Sequence, residues 1–92
     1  MNNNIAYLSN KDDCISFTYG DKVIRFKGPY SLKSIDSVEE WDNGYLVVYA
    51  KYSHSYEPVE DYIDLRPILT MLYINPEEFL KPIQRVEVSN AR

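Results

Sequence analysis

The stretch DSVEEWDNGYLVVYAK, residues 36–51, determines most of the architecture because it holds the strongest local turn signal in the chain. Asn43-Gly44 stands between two segments rich in apolar and aromatic residues. Both positions tolerate the positive φ that a type I′ turn demands, so the stretch predicts a β-hairpin with apolar residues on both faces. The predicted cross-strand pairs are Asp42–Tyr45, Trp41–Leu46, Glu39–Val48, Val38–Tyr49 and Asp36–Lys51.

A second hairpin is predicted earlier in the chain, from Cys14 to Lys27, around Gly20-Asp21. Glycine in the first turn position favours a type II′ turn. The predicted pairs are Tyr19–Lys22, Phe17–Ile24 and Ile15–Phe26. This register puts four large apolar side chains on one face, as expected for a strand pair that covers a core.

Shorter segments of strand character flank these hairpins. Residues 5–8, residues 59–63 and the alternating sequence at Arg85–Val88 each predict one further strand. Their lengths are typical of strands in small domains. The sheet is therefore expected to hold more than the two hairpins.

Two short helices are predicted between the last two strands. Leu65, Ile68, Leu69 and Leu72 recur at helical spacing after an N-cap at Asp64. A second helix is expected to begin at Asn75-Pro76, because asparagine caps helices well and proline fits the first helical position.

These elements predict one α+β domain over residues 1–92. We expect a mainly antiparallel sheet, built from two hairpins plus one or two further strands. Two short C-terminal helices are expected to pack on one face of it. Ser89–Arg92 is expected to be a frayed polar tail.

Composition indicates a globular chain, since 45% of its residues are hydrophobic and 26% are charged. A single cysteine excludes an internal disulfide, and the N-terminus lacks the basic start and apolar stretch of a secretion signal. No apolar run approaches the roughly 20 residues needed to span a bilayer. We expect a cytoplasmic protein without membrane contact.

Charge is distributed unevenly along the chain. Residues 34–64 contain eight acidic residues and Lys51 as the one basic residue, a formal charge of −7, whereas the whole chain carries −4. Such a segment repels nucleic-acid phosphates and attracts basic protein surfaces. We therefore expect no direct nucleic-acid binding.

The same segment is rich in aromatic residues, which supply the anchors of many protein interfaces. The chain has nine tyrosines and one tryptophan. The sequence predicts a partner-binding surface that comprises Glu39, Glu40, Trp41, Asp42, Tyr45, Tyr49, Tyr52, Glu60 and Asp61. Strand alternation means that these nine residues cannot all share one face.

Two interpretations of this segment stay open. In the first, the domain is a small non-catalytic binding module or inhibitor that recognises a basic surface of another protein. A narrower form is a phage or mobile-element protein that blocks a nucleic-acid-handling protein, since carboxylates on a rigid scaffold can imitate phosphates. In the second, the carboxylates only keep the surface soluble, and a strand edge or helix face joins two copies into a homodimer.

Catalytic, metal and cofactor sites are not expected. Cys14 and His54 are each the one residue of their type, and pairing them for nucleophilic catalysis would require the fold to bring a strand and a distant loop together. The chain has no calcium-loop pattern, and Glu57, Glu60, Asp61 and Asp64 could gather around a hard cation only by chance of folding; one N-cap and three exposed acids are expected instead. Two of the three glycines serve hairpin turns, which leaves no phosphate-binding loop.

Overall fold

The computed structural model describes residues 4–11, 14–28 and 32–89, which form two β-sheets and two short helices. The predicted α+β class is confirmed, and most strand pairs are antiparallel. The strands are β1 (Ile5–Lys11), β2 (Cys14–Tyr19), β3 (Lys22–Lys27), β4 (Leu32–Asp42), β5 (Tyr45–Tyr52), β6 (Val59–Asp64) and β7 (Arg85–Val88). The helices are α1 (Leu65–Met71) and α2 (Pro76–Leu80).

Sheet A has the strand order β3-β2-β1-β7. Its β2–β3 hairpin has the predicted register, with Phe17 opposite Ile24 and Ile15 opposite Phe26. Gly20 has a φ of 63° and Asp21 does not share the positive φ, which agrees with a type II′ turn. The pairing of β1 with β7 is parallel and places the first and last strands of the described chain side by side.

Sheet B has the strand order β4-β5-β6. Asn43 and Gly44 have φ values of 51° and 98°, which confirms the predicted type I′ turn. The predicted pairs nearest the turn, Asp42–Tyr45 and Trp41–Leu46, are also confirmed. The three pairs farther from the turn are wrong, because the structure pairs Val48 with Val38, Tyr49 with Ser37 and Lys51 with Ser34.

Three β-bulges in β4 cause this difference, at Leu32/Ser34, Ile35/Ser37 and Val38/Glu40. The apolar residues of β4 recur at every third position: Leu32, Ile35, Val38 and Trp41. A regular strand returns to the same face every second residue, so one extra residue per repeat is needed to keep all four on the core side. The extra residues Lys33, Asp36 and Glu39 are charged and exposed, which makes their insertion inexpensive.

The two sheets enclose one core, formed by the apolar residues of their inner faces and of the helical segment between β6 and β7. Phe17 of β2 and Trp41 of β4 stack with ring centroids 5.9 Å apart. The side-chain amide of Asn10 joins the sheets, because its Nδ2 donates to the Lys33 carbonyl at 2.9 Å and its Oδ1 accepts the Ile35 N–H at 3.0 Å. The buried core residues are Ala6, Leu8, Ile15, Phe17, Ile24, Leu32, Ile35, Leu46, Val48, Ala50, Ile63, Leu65, Leu69, Leu80, Ile83 and Val86.

Both helices have the predicted caps. The Asp64 carboxylate accepts the Arg66 N–H, and the Asn75 side chain accepts the Glu78 N–H. Leu65 and Leu69 of α1 and Leu80 of α2 are buried in the core, which fixes the helices over its end. Leu72 was expected on the buried helix face, but α1 ends at Met71 and Leu72 is half-exposed.

The helices also hold the β4–β5 turn in place. The Leu65 N–H donates to the Gly44 carbonyl at 2.8 Å, and Leu80 lies so close that a Cβ atom on Gly44 would be 2.6 Å from its Cδ1. The turn is therefore packed beneath α1 and α2. This contact orients sheet B relative to the helices.

The C-terminal end of the described chain remains attached to sheet A, because the Ser89 N–H donates to the Leu8 carbonyl at 2.8 Å. Of the predicted frayed tail, residues 90–92 lie outside the described residues. Among those that are described, no helix combines the length and apolar character needed to cross a bilayer.

Candidate protein-binding surface

The outer face of sheet B gathers carboxylates and tyrosines on one surface. Directly paired residues of neighbouring strands point to the same side of a sheet, so each cross-strand row can be read from the register. The rows are Asp42–Tyr45–Asp64, Glu40–Val47–Tyr62 and Ser37–Tyr49–Glu60. We call the set Glu40, Asp42, Tyr45, Val47, Tyr49, Glu60, Tyr62 and Asp64 the acidic tyrosine surface.

Three aromatic rings dominate the middle of this surface. Tyr45, Tyr49 and Tyr62 are 39%, 42% and 53% exposed. Tyr45 and Tyr62 stack with centroids 6.0 Å apart and planes 15° apart. Val47 lies among them on the register and is only 8% exposed, so the rings form a continuous apolar patch rather than separate side chains.

Charges surround the rings. The charge of Glu60 raises the pKa of the Tyr62 hydroxyl above its ordinary value. Among the described residues, the ion pairs are Arg66–Asp64 and Arg85–Glu87, which leaves Glu40, Asp42 and Glu60 without a salt-bridge partner. Unpaired carboxylates on a surface remain available to a basic partner.

Arg66 partly neutralises one end of the surface. Its Nε and Nη2 each donate to the Asp64 carboxylate at 3.1 Å. These hydrogen bonds lower the pKa of Asp64 and raise that of Arg66, to which the charge of Asp42 also contributes. The most negative part of the surface therefore lies toward Glu40 and Glu60.

Five of the predicted binding residues come together on this face: Glu40, Asp42, Tyr45, Tyr49 and Glu60. Trp41 and Tyr52 instead lie on the inner side, packed against the core. The Trp41 indole N–H donates to the Ile83 carbonyl at 3.1 Å, so this ring serves packing. Glu39 occupies a bulge, where its carboxylate accepts the Ser37 hydroxyl at 2.7 Å.

Asp61 also faces inward, where it forms a hydrogen-bonded pair with Tyr52. The Tyr52 hydroxyl donates to Asp61 Oδ2, and burial together with this bond raises the pKa of Tyr52 to about 12. The other carboxylate oxygen, Oδ1, accepts the Tyr62 N–H at 2.7 Å. Asp61 therefore has structural partners on both of its oxygens.

Three members of the surface were missed from the sequence: Val47, Tyr62 and Asp64. The signal for Val47 was present in the sequence, because counting outward from the Asn43-Gly44 turn puts Val47 on the same side as Tyr45. Tyr62 and Asp64 require the β5–β6 register, which the six-residue connection from Ser53 to Pro58 does not determine.

The residues considered for nucleophilic catalysis lie in different elements of the fold. Cys14 is half-buried in β2, and His54 is exposed in the connection after β5. Within residues 4–11, 14–28 and 32–89, no group of three His, Cys, Asp or Glu side chains could hold a metal ion.

An open groove lies between the β4–β5 turn and α2. Its volume is about 660 Å³, and its lining includes Trp41, Asn43, Asn75 and Lys81. In the described part of the chain, every buried side-chain nitrogen or oxygen has a hydrogen-bond partner. No unsatisfied polar group therefore marks this groove as a ligand site.

Comparison with known proteins places the chain in a family without assigning it an activity. No curated protein and no solved structure matches it. A family described as a domain of unknown function, DUF7724, matches residues 4–91, nearly the whole chain. The chain belongs to this family.

Proposed function

We propose that the domain is a non-catalytic protein-binding module that places its acidic tyrosine surface against a basic surface of another protein. The observation that carries the proposal is the patch of three half-exposed tyrosines around Val47, bordered by carboxylates in every row. Tyrosine supplies large contact area at low entropic cost, since its ring has only two side-chain torsions.

The size of the surface indicates a transient complex. Three strands spaced about 4.8 Å apart and about six residues long, at about 3.4 Å per residue, give a footprint on the order of 300 Å². A stable interface usually buries about 800 Å² per partner. We therefore expect an affinity that depends on charge and on residues around the sheet as well as on the three rings.

Electrostatic attraction is expected to speed the encounter. Glu40, Asp42 and Glu60 lack salt-bridge partners in the described structure, so a basic partner gains new ion pairs without breaking existing ones. Salt screens such attraction over a Debye length of about 8 to 10 Å near physiological ionic strength. Binding should therefore weaken as salt is raised.

The test is affinity capture of the tagged domain from its host lysate at low and high salt, with identification of retained proteins by mass spectrometry. Glu40→Lys combined with Asp42→Lys should abolish capture of a basic protein. Glu57→Lys with Glu77→Lys changes the net charge equally at exposed positions elsewhere and should leave capture intact. Equal loss with both double variants would refute the role of this face.

A tyrosine pair tests the aromatic part of the proposal separately. Tyr49→Ser removes a ring from the surface, whereas Tyr56→Ser removes the fully exposed ring of the β5–β6 connection. Only the first change should weaken capture.

The narrower hypothesis is that the domain blocks a nucleic-acid-handling protein by imitating phosphates. If the captured protein handles nucleic acid, duplex DNA should compete with the domain for it. Unchanged capture in excess DNA would exclude that version while leaving the protein-binding proposal in place.

A further inference from the structure

Each sheet has two outer strands, β3 and β7 in sheet A and β4 and β6 in sheet B. Because β4 and β7 contact each other, β3 and β6 are the open edges of the described structure. Such edges carry backbone N–H and C=O groups that can pair with another strand, and proteins protect them with charged side chains, bulges or covering segments. Here the two edges are both charged, but with opposite sign.

The edge of β3 is basic and that of β6 is acidic. β3 exposes Lys22, Arg25 and Lys27. β6 carries Glu60 and Asp64 on its outer face, the latter paired with Arg66, and Asp61 on its inner face. Edges of one sign would repel each other in every combination. Like charges disfavour pairing of β3 with β3 and of β6 with β6. Opposite charges favour pairing of β3 with β6 of a second copy.

The hairpin registers identify which backbone groups point outward. In a two-residue hairpin the residues flanking the turn form a hydrogen-bonded pair, and the direction alternates from there. Lys22, Ile24 and Phe26 therefore bond to β2, which directs the backbone groups of Val23, Arg25 and Lys27 to the open edge.

In sheet B the alternation starts from the Asp42–Tyr45 pair beside the turn. It places the backbone groups of Glu60, Tyr62 and Asp64 at the open edge of β6. One observed contact agrees with this assignment. The Tyr62 N–H donates to the Asp61 side chain at 2.7 Å, as expected for a backbone group with no strand in front of it.

We infer that the domain self-associates by pairing β3 of one copy with β6 of another. In antiparallel register with Arg25 opposite Tyr62, Lys27 lies opposite Glu60 of the second copy. The outer faces of the two sheets then form one continuous face, and the guanidinium of Arg25 lies beside the Tyr62 ring, a favourable cation–π arrangement.

Exposure supports this register. Val23 and Tyr62 are 52% and 53% exposed, and pairing in this register would cover both. The inference shares Glu60 and Tyr62 with the acidic tyrosine surface, but it requires no partner other than a second copy and so does not rest on the proposed function.

Sedimentation equilibrium of the wild type and charge variants tests it. The wild type should show concentration-dependent association. Lys27→Glu and Glu60→Lys should each weaken self-association at least about tenfold, because like charges then face each other across the edge. The double variant Lys27→Glu/Glu60→Lys and an equimolar mixture of the two single variants should both restore it, since each re-creates an opposite-charge pair.

Lys81→Glu is the matched control, because it changes net charge by the same amount at an exposed position after α2 and should leave association unchanged. A monomeric wild type at all concentrations overturns the inference. So does failure of both the double variant and the mixture to restore association. The Lys27→Glu variant keeps the acidic tyrosine surface intact. It should lose self-association but still capture a basic protein from lysate, which separates the two proposals.

Discussion

Substituting alanine at Gly44 should destabilise the domain far more than the same substitution at Gly20. Both glycines lie in two-residue hairpin turns and both have positive φ, 98° at Gly44 and 63° at Gly20. They differ in surroundings. A Cβ atom at Gly20 meets nothing within 4 Å, whereas one at Gly44 would be 2.6 Å from Leu80 Cδ1 and 3.2 Å from Arg66 Cγ.

The magnitudes follow from two separate costs. Placing alanine at either of these positive-φ positions costs roughly 1–3 kcal/mol, partly offset by about 0.4–1 kcal/mol from the reduced freedom of the unfolded chain. Gly20→Ala should therefore cost about 1 kcal/mol. Overpacking adds roughly 1–3 kcal/mol at Gly44. The overpacking cost applies fully at Gly44, because Leu80 is 2% exposed and has little room to move.

Thermal unfolding followed by circular dichroism, with urea titration at 25 °C, measures the difference. In a domain of this size, 1 kcal/mol corresponds to about 4–8 °C in Tm, so an overpacking cost of about 2 kcal/mol, the middle of the range, places Gly44→Ala roughly 8–16 °C below Gly20→Ala. Equal losses at the two sites would refute the packing of the turn beneath α2.

A double-mutant cycle with Leu80→Ala identifies the contact responsible. Removing the Leu80 side chain should cost about 2–5 kcal/mol alone, but less in the Gly44→Ala background, where it also relieves the clash. Strict additivity would place the cause elsewhere.

Three further predictions concern other sites. Asn10→Ala should cost about 1–3 kcal/mol in urea titration, because it leaves the Ile35 N–H without its acceptor, and Asn10→Asp should fall between this variant and the wild type. Tyr73 has a φ of 62°, so Tyr73→Gly should raise Tm by relieving about 1 kcal/mol of backbone strain; a lower Tm would contradict this explanation. The pKa of Asp64 is lowered by Arg66, so the advantage of the wild type over Asp64→Asn should be full above the unfolded pKa of 3.8 and disappear as pH falls through the folded value. Urea titrations across this pH range test the last prediction, and a gap between the two proteins that is independent of pH would contradict it.

Local signals predicted the parts of the fold that short-range geometry controls. The Gly20-Asp21 turn and alternating apolar residues were enough for the whole β2–β3 register. In the second hairpin the same reasoning held until the first bulge, at Val38/Glu40. The period of three in β4 was visible in the sequence, but it conflicts with the period of two that strand pairing assumes.

Long-range pairing could not be predicted in this way. The parallel pairing of β1 with β7 joins segments some eighty residues apart and leaves no local signature. Prediction of the candidate surface was limited by the same problem. β5 is apolar on both faces, and only its pairing with β6 brings Tyr62 beside Tyr45. Alternation could divide the predicted residues into two sets, but not show which set faces the core.

The topology explains why charge that is separated in sequence is also separated in space. Sheet B is built from one continuous segment, residues 32–64, whereas sheet A combines both ends of the described chain. The strands of sheet B contain seven acidic and two basic residues, a formal charge of −5, and those of sheet A contain five basic residues and one acidic residue, a charge of +4. Concentrating like charges on one sheet costs stability through repulsion, and solubility requires only that charges reach the solvent. That cost supports a role in recognition for the acidic sheet, because a complementary partner, whether another protein or the basic sheet of a second copy, would relieve it.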